Sequence, residues 1–562
     1  MKKNTINKVW IAALYVTLFA VNFIYSGYFI GEAYPGHNMI SNLVMAAAPI
    51  NNLGLPYADY WDIYPPGIYI FLSLFECFFN GETMVFKLFH IVFSMFIGII
   101  VLSILIRIFK KHVHAYLLVT VFFILYLVLS NYYYCILFHN AFLALFFSCS
   151  ALYLLMFSKK EFLKYFMSTL MFAFSASMKE TYLFTVLLPV AYLCNRYLLR
   201  ENKSAKLFCK NIAFVIVAVL IVFLTNYCYL KMLGVQNSYQ EISAYKSEMM
   251  IGKSGMELFN TLNPLNIVGF GNQFKDLSNA FFVHSFSFMY ALYLVLLVAI
   301  IISINRIDGK YKIVYNRWDS ERSVGVIVLF FLLLHFEGFK LLNKYGPNYS
   351  LQMVPSFVLA FAYLCYKTKG LFNLAVPSAL NILSIKQRKA FSVIVIIGLI
   401  WILLPRFSNF TFYKLTNLNE YVNGFVLRKP KILLPDNMKR TMGKDQRVLY
   451  IYGWGTPYFY YFTGTKPFSR FFILHPNIMG EKQMKEYANA FKKELPKVVL
   501  YTEIYSDMDT QKFEDNYIRI KKILEVCYDF YPTDQFDKFH CKGYYLLRDE
   551  SYFKEHISDF VL

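Results

Sequence analysis

Apolar runs long enough to cross a bilayer recur through the first 405 residues. They lie near 8–30, 84–108, 114–131, 135–157, 162–178, 181–197, 210–231, 280–304, 323–340, 349–366 and 390–405. A bilayer core takes about 20 apolar residues of helix, and shorter runs cross with help from their flanks. Backbone in lipid must satisfy its own polar groups, so runs of this kind fold as helices. The chain is 57% hydrophobic and 16% charged, well below the quarter of charged residues usual in soluble domains. The expectation is a polytopic α-helical membrane protein with about 11 transmembrane helices.

A formal charge of +21 would suit nucleic acid, but its distribution argues otherwise. Lys and Arg gather in short segments between the apolar runs: Arg107–Lys111, Lys159–Lys164, Asn195–Lys210, Asn305–Arg322 and Lys367–Lys389. With a cytoplasmic N-terminus, alternating the spans puts every one of these segments inside, as the positive-inside rule requires. Segments 31–83, 132–134, 179–180, 232–279, 341–348 and 406–562 then face outward. No nucleic-acid partner is expected; the bilayer is. The basic start MKKNTINK precedes a run with no small-residue cleavage site, which reads as an uncleaved first span. Residues 67–79 are apolar but number about 13. That is too short to span, and a crossing there would flip every later loop, so an interfacial or re-entrant helix is expected.

The character of the chain changes near 405. Strand-like RVLYIYGW, KVVLYTEIY and GYYLLRD alternate with helix-like EKQMKEYANAFKKE, which suggests a small C-terminal α/β domain outside the membrane. The domain reading is a transmembrane part over 1–405, with an outer loop at 31–83, and an extracytoplasmic part over 406–562. The nine cysteines show no CxxC spacing, and most sit in apolar runs as small hydrophobes. Cys527 and Cys541, 14 apart in the polar part, are the two open to pairing in an oxidising compartment.

The first outer segment carries Glu32, His37, Asp59 and Asp62. Any water-facing loop has some carboxylates; their position is what informs. Glu32 ends the first span, where a charge is costly unless it has a partner or faces a polar cavity. Pro65 and Pro66 turn the chain and block helix until the next apolar run. The carboxylates are thereby held at the lip of the bilayer.

This pattern resembles the GT-C superfamily of membrane glycosyltransferases, which includes the aminoarabinose lipid A transferases and the protein O-mannosyltransferases. Those enzymes take a sugar from a polyprenyl phosphate carrier. The family has a carboxylate after its first span, a long outer loop, and a G-x-x-Y-x-D-x-x-D-x-K-P-P-like segment. A short juxtamembrane helix and a second span ending in basic residues follow. Here the matching parts are Glu32, loop 33–53, GLPYADYWDIYPP from Gly54 to Pro66, residues 67–79, and 84–108 with Arg107 to Lys111 at its end. Met178-Lys179-Glu180 resembles the family's lysine between the fifth and sixth spans. Lys344 to Tyr349, with Pro355 downstream, resembles its R-x-x-x-x-Y…P pattern. YGWGTP from Tyr452 and FSRF from Phe468 resemble the start of its outer domain. The chain departs from the pattern twice. Glu32 is followed by Ala33 where the family often has Asp-Glu, and Tyr64 stands at the K-P-P lysine thought to hold the carrier phosphate.

The resemblance implies a GT-C-like fold and transfer of a sugar from a polyprenyl-phosphate carrier to an envelope glycan, lipid or protein. The chemistry needs cations for the departing phosphate, a base for the acceptor hydroxyl, and negative charge near an oxocarbenium-like centre. Direct displacement inverts the anomeric centre. The catalytic candidates are Glu32, Asp62 and Asp59, with the choice among them open. Lys179 and Lys344 are the candidates for the phosphate, with a snorkelling interfacial lysine as the plainer reading of each. Tyr57, Tyr64, Tyr349 and His37 complete the substrate-side set, although an aromatic belt alone would place such tyrosines at an interface. Arg470 reads as a structural ion pair in the outer domain. Tyr239, Tyr245 and Lys246, in loop 232–279, stand either on the acceptor side or in a solvated loop. His37 and His139 lack partners at ligand spacing. No cofactor is assigned, and a divalent metal ion is left open because the family has members with one and members without.

Two other readings compete: an envelope polysaccharide polymerase or ligase, and a lipid-linked glycan transporter. Internal repeats and broken midplane helices, the marks of a transporter, are absent from the sequence. Loop 232–279 contains no arginine, whereas a polymerase would be expected to carry an arginine-rich outer loop. The expectation is a multi-pass glycosyltransferase of the cell inner (plasma) membrane.

Overall fold

A computed structural model of the chain describes residues 10–20, 46–62, 64–79, 83–109, 115–134, 140–198, 204–251, 327–328, 330–335, 353–367, 433–451, 459–460, 463–471, 481–501, 521–539, 541–548 and 550–555. The chain divides into two compact units. One takes Met1–Tyr34, Phe86–Thr225 and Met250–Val426; the other takes Pro35–Val85, Asn226–Met249 and Leu427–Leu562.

The first unit is helical. Its described elements are α1 (Trp10–Ala20), α3 (Thr83–Phe109), α4 (Ala115–Tyr134), α5 (Asn140–Phe157), α6 (Ser168–Met178), α7 (Leu188–Leu198), α8 (Ala205–Met232) and α10 (Met353–Lys367). Most of α3 and α8 lies in this unit. A π-helical turn, Phe162–Met167, leads into α6, and a 3-10 helix, Glu180–Leu187, leads into α7. Leu18 of α1 packs so closely on Gly98 of α3 that a Cβ there would lie 2.5 Å from it. The α5–α6 pair is tied by Ser175 Oγ donating to the Ala144 carbonyl at 2.6 Å and by the Phe147–Phe174 ring contact. A hydroxyl bonding across helices removes a polar group from an apolar interior, where it would otherwise cost free energy.

Residues 162–178 and 180–198 fold back on each other about Lys179. Lys179 is extended, at φ −149°, between two helical neighbours. Tyr165 stacks on Tyr192, and Glu161 pairs with Arg196 at 3.2 Å near the far end of the hairpin.

Among the described residues, two helices are long and apolar enough to cross a bilayer: α3 through Val92–Phe109, and α8. Only 22% of the α8 window is buried, and Ile216, Leu220, Phe223 and Leu224 stand exposed along it.

The second unit is α/β. Its sheet has the order β2-β1-β3-β5-β4, built from β1 (Arg447–Ile451), β2 (Lys466–Pro467), β3 (Val498–Tyr501), β4 (Tyr528–Pro532) and β5 (Gly543–Leu547). β1 runs parallel to β2 and β3; β5 runs antiparallel to β3 and β4. Parallel neighbours need a crossover, and α12 (Glu481–Lys493) lies in the connection from β1 to β3. α12 buries Gln483 and Tyr487, spaced i and i+4, and exposes Lys482, Lys485 and Lys493. Val448, Leu449, Val499, Leu500, Tyr528 and Leu546 are buried in the sheet. α11 (Asp436–Met442) precedes β1, and α13 (Glu550–Glu555) follows β5. To this unit also belong α2 (Pro66–Phe79), the loop before it, and most of α9 (Gln236–Ile251).

The register of the β4–β5 hairpin runs from Tyr528↔Leu547 to Pro532↔Gly543. Cys527 and Cys541 therefore flank opposite ends of it, and both are buried thiols. A strand advances about 3.3 Å per residue, so the two Cα atoms lie well beyond the ~7 Å a disulfide can bridge. The hairpin rules out the pairing left open by the sequence.

Candidate active site

The loop 46–62 is folded by its own polar groups. Asn51 Nδ2 donates to the Ala47 carbonyl at 3.0 Å and to Glu76 Oε1 of α2 at 3.1 Å. Ser73 Oγ, also on α2, donates to the Ala46 carbonyl. Tyr60 OH, buried, donates to the Leu53 carbonyl at 3.0 Å. Gly54 sits at φ +124°, and a Cβ there would press on Asp59 and on the Tyr60 ring. The sequence places glycine where only glycine fits.

Asp59 and Asp62 have different fates. Asp59 is exposed, and its Oδ2 accepts the Leu55 N–H at 2.7 Å while its own N–H returns to the Leu55 carbonyl. It closes a turn, a common use of a short acidic side chain. Asp62 is 7% exposed, and Tyr69 OH from the first turns of α2 donates to its Oδ2. A carboxylate is seldom buried without such a partner.

Around Asp62 the side chains are phenols. Tyr57 meets Tyr69 edge-on at 5.3 Å and Tyr239 of α9 at 5.0 Å. Its OH donates to the Tyr64 carbonyl at 2.9 Å. Burial, then the neighbouring Tyr239 and Asp62, push the Tyr57 phenol well above its usual range. Burial and then Asp62 do the same to Tyr69, and burial followed by Asp59 raises Tyr60. All three stay protonated at neutral pH and act as donors. Tyr57 holds φ +68°, a left-handed conformation that costs a non-glycine residue roughly 1–2 kcal/mol. Full burial of a large side chain, worth about 1.5–3 kcal/mol, and the hydrogen bond to Tyr64 offset that cost.

Trp61, 2% exposed, is held separately. Its backbone N–H donates to the Arg470 carbonyl at 2.7 Å, and its ring meets Tyr245 of α9 and Phe471. The Arg470 guanidinium lies 4.8 Å over the Trp61 ring. It also forks onto Glu241 of α9, at 2.9 and 3.1 Å, and onto Glu486 of α12, at 2.7 and 2.6 Å. The hydrogen bonds from Arg470 hold the Glu241 carboxyl below the usual range against its partial burial, and Lys482 adds to this.

The structure thus gathers Asp62, Asp59, Tyr57 and Tyr64 into one loop. Lys179 belongs to the helical unit and is 2% exposed, so it is buried rather than snorkelling. Glu32, His37, His139, Lys344 and Tyr349 lie outside the described residues. Tyr239 and Tyr245 support the loop from a helix, in a stretch expected as either acceptor site or solvated loop. Sequence reasoning passed over Glu76, which is buried on α2 at 3% exposure and partnered by Asn51. An acid inside an apolar run was itself a signal. Arg470 was expected as an ion pair, but not as one joined to Trp61. Among the described residues, no group of three or more His, Cys, Asp or Glu side chains gathers to hold a metal ion.

Comparison of the chain with protein-family profiles, with curated proteins and with solved structures finds no match in any of the three.

Proposed function

We propose that the protein is an integral membrane glycosyltransferase that moves a sugar from a polyprenyl-phosphate carrier to an envelope acceptor, with a GT-C-like helical part and an outer α/β part. The observation that carries this reading is the buried Asp62 carboxylate, bound by the Tyr69 phenol and enclosed by further phenols at the start of a short apolar helix. A carboxylate can take the proton of a sugar hydroxyl, and neutral phenols suit polyhydroxyl ligands. The exposed apolar side of α2, with Leu74 and Phe78, fits a helix lying in the membrane interface. The exposed apolar length of α8 fits contact with lipid. Glu32 and Asp62 share the candidacy for the base. Asp59 falls behind them, because its oxygen closes the turn at Leu55.

The test is consumption of polyprenyl-phosphate sugars by purified protein in nanodiscs, with envelope extract as acceptor. Wild type is compared with Glu32→Gln and Asp62→Asn. Turnover by wild type and its loss in one folded variant supports the reading and selects the base. No consumption of any carrier-linked sugar rejects it.

A further inference from the structure

Arg470 has more partners than a lone ion pair needs. Its guanidinium satisfies Glu241 on α9 and Glu486 on α12 through four hydrogen bonds between 2.6 and 3.1 Å, and it covers the Trp61 face at 4.8 Å. Its backbone carbonyl takes the Trp61 N–H at 2.7 Å. Phe471, the next residue, packs on the same indole at 5.2 Å, and Tyr245 of α9 packs on it at 5.5 Å. One short segment therefore grips Trp61 by backbone, by charge and by ring. Asp62 is the next residue along.

We infer that Arg470 is a positioning residue for the Asp62 loop, clamping Trp61 between α9 and the segment that follows β2 so that Asp62 stays seated on Tyr69. A planar fork with two carboxylate partners leaves the guanidinium little freedom, and a lysine cannot reproduce it. The side chain is 18% exposed, so its contacts are shielded from solvent more than those of a surface pair. The ordering of the loop follows from these contacts alone. Its effect on turnover rests on the transferase reading above.

The experiment is hydrogen exchange of the full-length protein in nanodiscs, comparing wild type with Arg470→Gln and Arg470→Lys, with carrier-sugar turnover measured on the same samples. Arg470→Gln is expected to raise exchange in peptides covering 57–62 by about tenfold while the β4–β5 hairpin keeps its protection, as local opening does. Arg470→Lys is expected to fall between the two. In turnover, kcat is expected to fall by more than KM rises where Asp62 is the base, since the loop that seats it also carries Tyr57 of the substrate-side set. Unchanged exchange at 57–62 overturns the inference, as does an equal rise over the whole sheet. So does a large fall in kcat with the loop still protected, which would put Arg470 on the substrate itself. If Arg470→Gln does not fold, Arg470→Lys and Glu241→Gln carry the comparison under the same criteria. Absence of wild-type turnover rejects the transferase alone, since the exchange result still decides the clamp.

Discussion

Two aspartates three residues apart, alike in sequence, are put to different uses by the fold. Asp59 is solvated and turned back onto Leu55 N–H; Asp62 is enclosed and met by a phenol. Asp59→Asn keeps an acceptor for that N–H, so turnover is expected within a few-fold of wild type. Asp62→Asn removes a base and is expected to cost about 10²–10⁴-fold in kcat, read in the carrier-consumption assay. Comparable losses in both variants would contradict the assignment. Tyr69→Phe removes a buried hydrogen-bond donor from the Asp62 carboxylate, which costs about 1–3 kcal/mol and is read as a lower thermal midpoint. The sequence made the carboxylates visible, because acids near an apolar run stand out. It could not rank them, since the ranking depends on Tyr69 and Leu55, and nothing in the spacing says which acid each one meets.

Elements are where the sequence spoke most clearly and also where it fell silent. Short strand-like apolar runs marked β1, β3 and β5, and a helix-like charged segment marked α12. β4 was missed because Tyr528–Pro532 mixes an acid, a proline and aromatics at a sheet edge, where solvent relaxes the alternation. Loop 232–279 was expected to be a functional cover or to contain short helices, and α9 is one such helix; its bounds were not legible, since its faces are fixed by Tyr57, Trp61 and Arg470 rather than by an apolar stripe. The hairpin supplies a test of its own. A Cβ on Gly543 would lie 2.4 Å from the Tyr531 carbonyl and 2.6 Å from the Phe530 ring. Gly543→Ala must therefore push backbone aside, a loss of about 1–3 kcal/mol, seen as faster exchange confined to β4 and β5. The link between α9 and α12 has a pH signature. Glu241 has its folded pKa below the ordinary value of 4.5, so the pair contributes fully above that value and fades as pH falls through the lower folded value. Glu486 pairs with the same Arg470 at 2.6 Å, and Lys482 approaches Glu241 at 3.9 Å. On moving from pH 7 to pH 4, the thermal midpoint of wild type should fall further than that of Glu241→Gln. Equal falls would remove Glu241 from the account.

For the whole molecule, the apolar length of α8 and the membrane reading lead to a simple extraction experiment. The protein is expected to stay in the pellet through high salt and alkaline washing and to leave it only in detergent; release by alkali would count against spanning helices. The distribution of the second unit along the chain was not legible in the sequence. A change of character near 405 invited a cut there, yet residues 46–79 and most of α9 belong with the C-terminal sheet. Hydropathy reports where a segment sits relative to lipid, and it says nothing about which distant segment a loop will pack on.

That distribution sets a schedule for synthesis. Trp61 leaves the ribosome about 400 residues before Arg470, whose carbonyl and guanidinium it needs. At 5–20 residues per second the wait is roughly 20–80 s. For that interval the Asp62 loop has no Arg470 to close on, and a chain that stops short of Arg470 never closes it. A segment made late thus completes a loop made early, so a chain carries the assembled Asp62 seat only after synthesis has passed Arg470 and Glu486.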